Sequence, residues 1–164
     1  MRKEKIKELS RESFAGFGAY ANMINPQAEK IGAEPIEFFR DMVRLDLGSK
    51  TVAAFSTCRV CKRPMVVDVT EFHNCSGEGI LPLDADILIH VAPAVPIGEI
   101  PLERIEIFRV PKGTFVSLHQ GVWHHAPFAY NTDLANVLIV LPERTYALDC
   151  HVTQIAEKQR TEIE

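Results

Sequence analysis

From Thr51 onward the chain alternates side-chain character with a period of two. Seven runs carry the pattern: Thr51–Thr57, Pro64–His73, Ala85–Ala92, Ile105–Val110, Thr114–Leu118, Val122–Tyr130 and Ala135–Leu141. Successive side chains of a strand point to opposite faces, so this period marks strands. Turn signals separate them at Ser76-Gly77-Glu78-Gly79, Pro93 to Gly98, Pro111-Lys112-Gly113, Asn131-Thr132-Asp133 and Pro142. Many short strands with regular turns imply an all-β sandwich or barrel.

The flanks read differently. Residues 1–9 look like a frayed or helical lead-in. Ser10 can cap a short N-terminal helix through Phe14 to Phe17, which Gly18 ends. Residues 19–40 carry Pro26, Gly32 and Pro35 and read as mostly loop. Phe38, Phe39, Met42 and Val43 suggest an apolar turn or strand on the main body. The polar residues from Thr153 suggest a short helix. With no repeat, low-complexity tract or linker, the chain reads as one domain over 1–164. In it, 1–45 pack as helix and loop on a barrel formed by 46–150.

A chain of 164 residues can bury one real core but not two comfortable ones. Its 46% hydrophobic and 24% charged residues place it among soluble globular proteins. A net charge of -4 argues against a nucleic-acid partner. No apolar run approaches the ~20 residues of a membrane span, and the charged start lacks a signal-peptide core. These features predict a cytoplasmic protein with no membrane partner and four reduced thiols, Cys58, Cys61, Cys75 and Cys150. Cys58 and Cys61 have the spacing of half a zinc site, but there is no second pair.

Chemistry concentrates in two stretches, Glu71-Phe72-His73-Asn74-Cys75-Ser76-Gly77-Glu78 and His119-Gln120-Gly121-Val122-Trp123-His124-His125. On one continuous strand, Glu71 and His73 share a face with Met65, Val67 and Val69, while Asp68 and Thr70 mark the wet side. A carboxylate and an imidazole on an apolar face are costly unless paired or metal-bound. Adjacent His124 and His125 cannot both point inward, and alternation alone does not choose between them.

The spacing of the two stretches resembles the two cupin signatures. Glu71-x-His73-x4-Glu78 is similar to the first, with Glu71 in place of its leading histidine. Gly113-x5-His119-x-Gly121-x2-His124 is similar to the second. The resemblance implies a double-stranded β-helix, a jelly-roll-like barrel, and a metal set of Glu71, His73, Glu78 and His124. Nitrogen and oxygen ligands of this kind suit zinc, manganese, iron or nickel. Within cupins, His119 to Phe128 with its Trp123-His124-His125, and Glu71 through His73 to Pro82, resemble the ureidoglycolate lyase (ureidoglycolate hydrolase) family.

That resemblance implies a small-molecule substrate, ureidoglycolate, cleaved to glyoxylate and urea in purine and allantoin degradation. It makes His119 the candidate for proton transfer, with His125 second. By residue type, Arg59 or Arg144 would hold the substrate carboxylate. Trp123 would line the substrate or pack the core. A homodimer is expected by analogy. The competing readings are another metal-dependent cupin, an isomerase or dioxygenase, and a non-catalytic cupin that binds a small ligand.

Overall fold

The computed structural model describes residues 1–96 and 98–164. The chain opens with β1 (Arg2–Glu4), β2 (Ile6–Glu8), α1 (Arg11–Phe14) and β3 (Gly18–Asn22). A hairpin follows, β4 (Lys30–Ala33) and β5 (Ile36–Phe39). The central strands are β6 (Ala53–Cys61), β7 (Val66–Val67), β8 (Val69–Phe72), β9 (Glu78–Pro82) and β10 (Ile87–Val91). After a 3-10 turn at Leu102–Arg104 come β11 (Glu106–Val110), β12 (Thr114–Leu118), β13 (Phe128–Ala129) and β14 (Leu134–Pro142). The chain closes with α2 (Thr145–Leu148), β15 (His151–Gln154) and β16 (Thr161–Ile163).

Two sheets face each other. One has the order β3-β12-β9-β14-β6 and the other β13-β10-β11-β2. Between them lies a core of Ile80, Val116, Leu118, Val137 and Ile139 against Ile87, Ile89, Phe108 and Val110. Ser10 caps α1 by accepting from the Ser13 amide at 3.0 Å, and Phe14 then meets Phe108 edge-on at 5.1 Å. A fully buried phenylalanine contributes about 1.5–3 kcal/mol, so this one-turn helix is held by its plug rather than by its length.

The four-stranded sheet is covered on its other face as well. Leu88, Ile105, Ile107 and Phe128 pack there against Val67, Trp123, Ile155 and Ile163. That is why β10, Ile-Leu-Ile-His-Val, is buried at every position: a strand covered on both faces cannot alternate.

Several expectations need correction. Residues 1–9 are not helical: β1 runs parallel to β16, and β2 parallel to β11. Residues 19–40 hold β4 and β5 and most of β3, and Phe38 is 62% exposed rather than lying on the body. The tail after Thr153 ends as strand, with only a 3-10 turn at Glu157–Gln159. Run 64–73 breaks at Asp68. Across the break Val67 joins the outer core, and Thr70 is buried at 2% exposure rather than wet. Run 122–130 keeps only a two-residue strand and two isolated bridges. Ser76 to Gly79 is not simply a turn, because Glu78 begins β9. The turn read at 93–98 includes residue 97, which lies outside the described residues.

Candidate metal centre

A pair of backbone hydrogen bonds sets the site. The Glu71 amide donates to the His124 carbonyl at 2.6 Å, and the His124 amide returns to Glu71 at 2.8 Å. This isolated antiparallel bridge puts both side chains on one face. His73, two residues along, shares it, and the Gly121 amide donates to the His73 carbonyl at 2.8 Å. Ligand atoms of Glu71, His73 and His124 lie within 4.8 Å of one another.

Glu78 approaches from the facing sheet, on β9 opposite Leu118 of β12. Gly77 before it tolerates no side chain, because a Cβ there would lie 2.3 Å from the Leu118 carbonyl oxygen. One oxygen of Glu78 then meets His73 Nε2 at 3.0 Å and His124 Nε2 at 3.1 Å. The far ring nitrogens donate to backbone: His73 Nδ1 to the Asp149 carbonyl at 2.7 Å and His124 Nδ1 to the Val122 carbonyl at 2.9 Å. The carboxylate of Asp149 accepts the amides of Asn74 and Cys75 at 2.9 and 2.7 Å, which fixes the carbonyl that orients His73.

The electrostatics follow from these contacts. Burial pushes the Glu78 carboxyl up, but His124 and His73 outweigh it and hold the group down to about 2. Burial pulls His124 down, yet the charge and hydrogen bond of Glu78 raise it above its ordinary value. Two Nε2 atoms on one buried carboxylate oxygen form a nest for positive charge. With both Nδ1 atoms tied as donors, each Nε2 offers its lone pair to a metal once its proton leaves. Glu71 completes a mixed oxygen and nitrogen donor set that fits a divalent first-row metal. At its edge the Cys150 thiol donates to Glu71 at 3.0 Å, and burial with that carboxylate pushes the thiol up to about 12. The Tyr146 hydroxyl is likewise pushed up to about 12, by burial and then by Glu78 and Glu71.

The structure thus brings Glu71, His73, Glu78 and His124 together. The other named residues lie outside this cluster, and of them His125 feels the Glu71 charge. His119 is exposed in the turn before Val122, with its amide on the Phe17 carbonyl. His125 is half-buried; burial lowers its pKa, while Glu71 nearby opposes that. Arg59 is exposed and donates to Asn136, on the face of β6 opposite the partly buried Cys58. Arg144 is exposed with a φ of 62°.

Trp123 points away from His124 and packs on Phe72 at 4.6 Å. The two line a cavity of about 510 Å³ with His151 and Gln120. That cavity is not the candidate site, since none of the four clustered residues borders it. Arg63 lies in no sequence motif; its guanidinium donates to the Ala126 and Pro127 carbonyls just after His125.

The two facing sheets with this strand order make the fold that of a cupin. A dTDP sugar isomerase from Desulfovibrio desulfuricans G20 shares the fold at a TM-score of 0.53, covering 87% of each chain at 14% identity. The family model described as Ureidoglycolate lyase matches residues 1–162, and the chain belongs to that family of lyases. A ureidoglycolate lyase of Rhodobacter capsulatus is 29% identical over 76% of this chain and 77% of its own. One of Escherichia coli O1:K1 / APEC is 20% identical over 96% of this chain and 97% of its own. No helix among the described residues is long and apolar enough to cross a membrane.

Proposed function

We propose that this chain cleaves ureidoglycolate to glyoxylate and urea. The observation that carries the reading is the buried cluster of Glu71, His73, Glu78 and His124, in a chain that the lyase family model matches almost end to end. The substrate is a carbinolamine: one carbon bears a hydroxyl, a carboxylate and a urea nitrogen. Its C–N bond breaks when the hydroxyl loses a proton and the nitrogen gains one. Nothing is oxidised, so a single proton carrier suffices.

A divalent metal held by Glu71, His73, Glu78 and His124 would acidify the hydroxyl. His125 is the proton carrier. It is half-buried within the field of Glu71, and burial lowers its pKa, which favours the neutral ring that accepts a proton. His119, exposed in its turn, takes the lesser role. The reading is tested by glyoxylate release from ureidoglycolate by the purified, metal-loaded protein. Release that His124→Ala abolishes supports it; a metal-replete wild type that releases none overturns it.

A homodimer fits the same reading: Phe55, Ile36 and Phe38 are apolar and 70%, 78% and 62% exposed, and such residues are available to a second copy. Sedimentation of the purified chain tests it.

A further inference from the structure

The clustered residues come from parts of the fold that share no ladder. Glu78 stands on β9 in the five-stranded sheet. Glu71 lies on β8 and His73 directly follows it, and β8 pairs in a ladder only with β15 among the described residues. A donor set split in this way needs its halves held to within about 0.5 Å of the binding geometry.

The chain itself runs from one half to the other. Val140 of β14 lies opposite Gly79, next to Glu78. β14 ends at Pro142, whose carbonyl accepts the buried Thr145 hydroxyl at 2.7 Å. α2 follows, and the Asp149 amide closes it on the Thr145 carbonyl at 2.8 Å. This strap then meets the β8 segment with three successive residues. The Asp149 carbonyl accepts from His73 Nδ1 at 2.7 Å. The Cys150 thiol donates to Glu71 Oε2 at 3.0 Å. His151 pairs with Phe72 in the ladder, and its ring stacks on the Phe72 ring at 4.7 Å and 17°.

Asp149 grips twice. It is 8% exposed, and its carboxylate accepts the amides of Asn74 and Cys75 at 2.9 and 2.7 Å. One residue therefore takes the backbone after His73 by its carboxylate and the His73 ring by its carbonyl. Those two contacts set both the place and the rotation of the imidazole. With Nδ1 committed, Nε2 is the nitrogen left for a ligand, and it faces Glu78 at 3.0 Å. At Glu71 the thiol takes Oε2, which leaves Oε1 for an ion.

We propose that Asp149 and Cys150 are positioning residues of the metal centre: they lock His73 and Glu71 against Glu78, so that the donors stand ready before an ion arrives. This rests on the metal reading of the cluster and not on the lyase reaction. Donors fixed in advance lose little freedom on binding, which raises affinity. Two roles compete with it. The strap is a plain staple with no effect on the site, or Cys150 is itself a ligand.

The probe is Co(II), titrated by calorimetry and by absorption into metal-free wild type, Asp149→Ala, Asp149→Asn, Cys150→Ala and Cys150→Ser. Asp149→Ala loses both amide acceptors and should weaken Co(II) about 10–100-fold, the range for loss of a partner that orients a ligand. Its visible d–d bands should shift even at saturation, which a loss of stability alone does not produce. Asp149→Asn keeps one acceptor oxygen and should recover part of the affinity. Cys150→Ala should weaken Co(II) several-fold, and Cys150→Ser, whose hydroxyl still donates, should stay near wild type. The asparagine and the two Cys150 variants cover the case in which Asp149→Ala fails to fold. Affinity and bands equal to wild type in the folded variants, with only melting temperature lowered, leave the staple and overturn the proposal. A sulfur-to-cobalt charge-transfer band in wild type that Cys150→Ser abolishes makes Cys150 a ligand and overturns its positioning role. A wild type that takes up no Co(II) overturns the proposal together with the metal reading. Co(II) binding that depends on Asp149, in a protein that releases no glyoxylate, removes the lyase and keeps the positioning residues.

Discussion

Strand β8 has a buried imidazole on each side, and their surroundings push the two in opposite directions. On one face His124 meets a Glu78 oxygen at 3.1 Å and its pKa is raised. On the other His90 meets only the Thr70 hydroxyl at 3.2 Å, its Nδ1 has no partner, and burial pulls its pKa well below the ordinary value. Both rings are almost wholly out of water, at 3% and 2% exposure, so burial is not what separates them. A carboxylate is. Burial alone discharges a histidine; burial against an anion charges it and prepares a position for a cation. The Thr70 hydroxyl donates to the His124 carbonyl at 3.3 Å and is bonded to both environments.

The largest expected break of that contrast is His124→Ala. Removing only an orienting partner of a metal ligand costs about 10–100-fold in affinity, so loss of the ligand should exceed this range, read by metal analysis after dialysis. Glu78→Gln comes close behind. It leaves the donors of the bridge in place and removes the anion that gathers positive charge, so both metal content and glyoxylate release should fall.

His125→Ala should lower kcat by about 10²-fold, the low end for loss of a general acid–base group, with metal content kept. His119→Ala should change kcat by less than about threefold, the scale of a surface change rather than of lost proton transfer. Equal losses in the two variants would remove His125 from its role.

The pH dependence of melting, measured on metal-free protein, sharpens the contrast further. Glu78 is lower in the fold than its ordinary 4.5, so its contribution is full above that pH and is lost as pH falls toward about 2. His124 is raised, so its contribution is full below 6.5 and is lost as pH rises through its folded value. The pair therefore stabilises most between 4.5 and 6.5. His90 runs the other way. Its depressed value contributes above 6.5 and is lost as pH falls. Glu78→Gln should flatten the first profile and leave the second.

The smallest effect belongs to His90→Phe. It trades an unsatisfied ring nitrogen for apolar packing and should shift stability by about 1 kcal/mol or less in either direction, with metal affinity within about threefold.

The strands that alternate were legible because their apolar residues recur on one face, as along the first half of β14. Thr114–Leu118 falls where the spacing predicts, and 135–141 is the heart of β14. Elements were lost where a second layer covers them. Thr70 looks like a solvent position until β10 and the outer core lie over it. The strand of Glu78 was hidden because its glycines also signal a turn, and only the close approach of Leu118 shows that Gly77 is there for space. Arg63 had no local signal at all, since its anchors Ala126 and Pro127 are 63 and 64 residues away.

The sequence by itself determined the β architecture, the family, and the residue types gathered at the site, because side-chain period and motif spacing are local. Packing across the core settled that Glu78 is a buried carboxylate between two imidazoles and that His90 is not one of them. Charge state and reach depend on what lies across the core, and a strand's own sequence carries no record of its opposite neighbour.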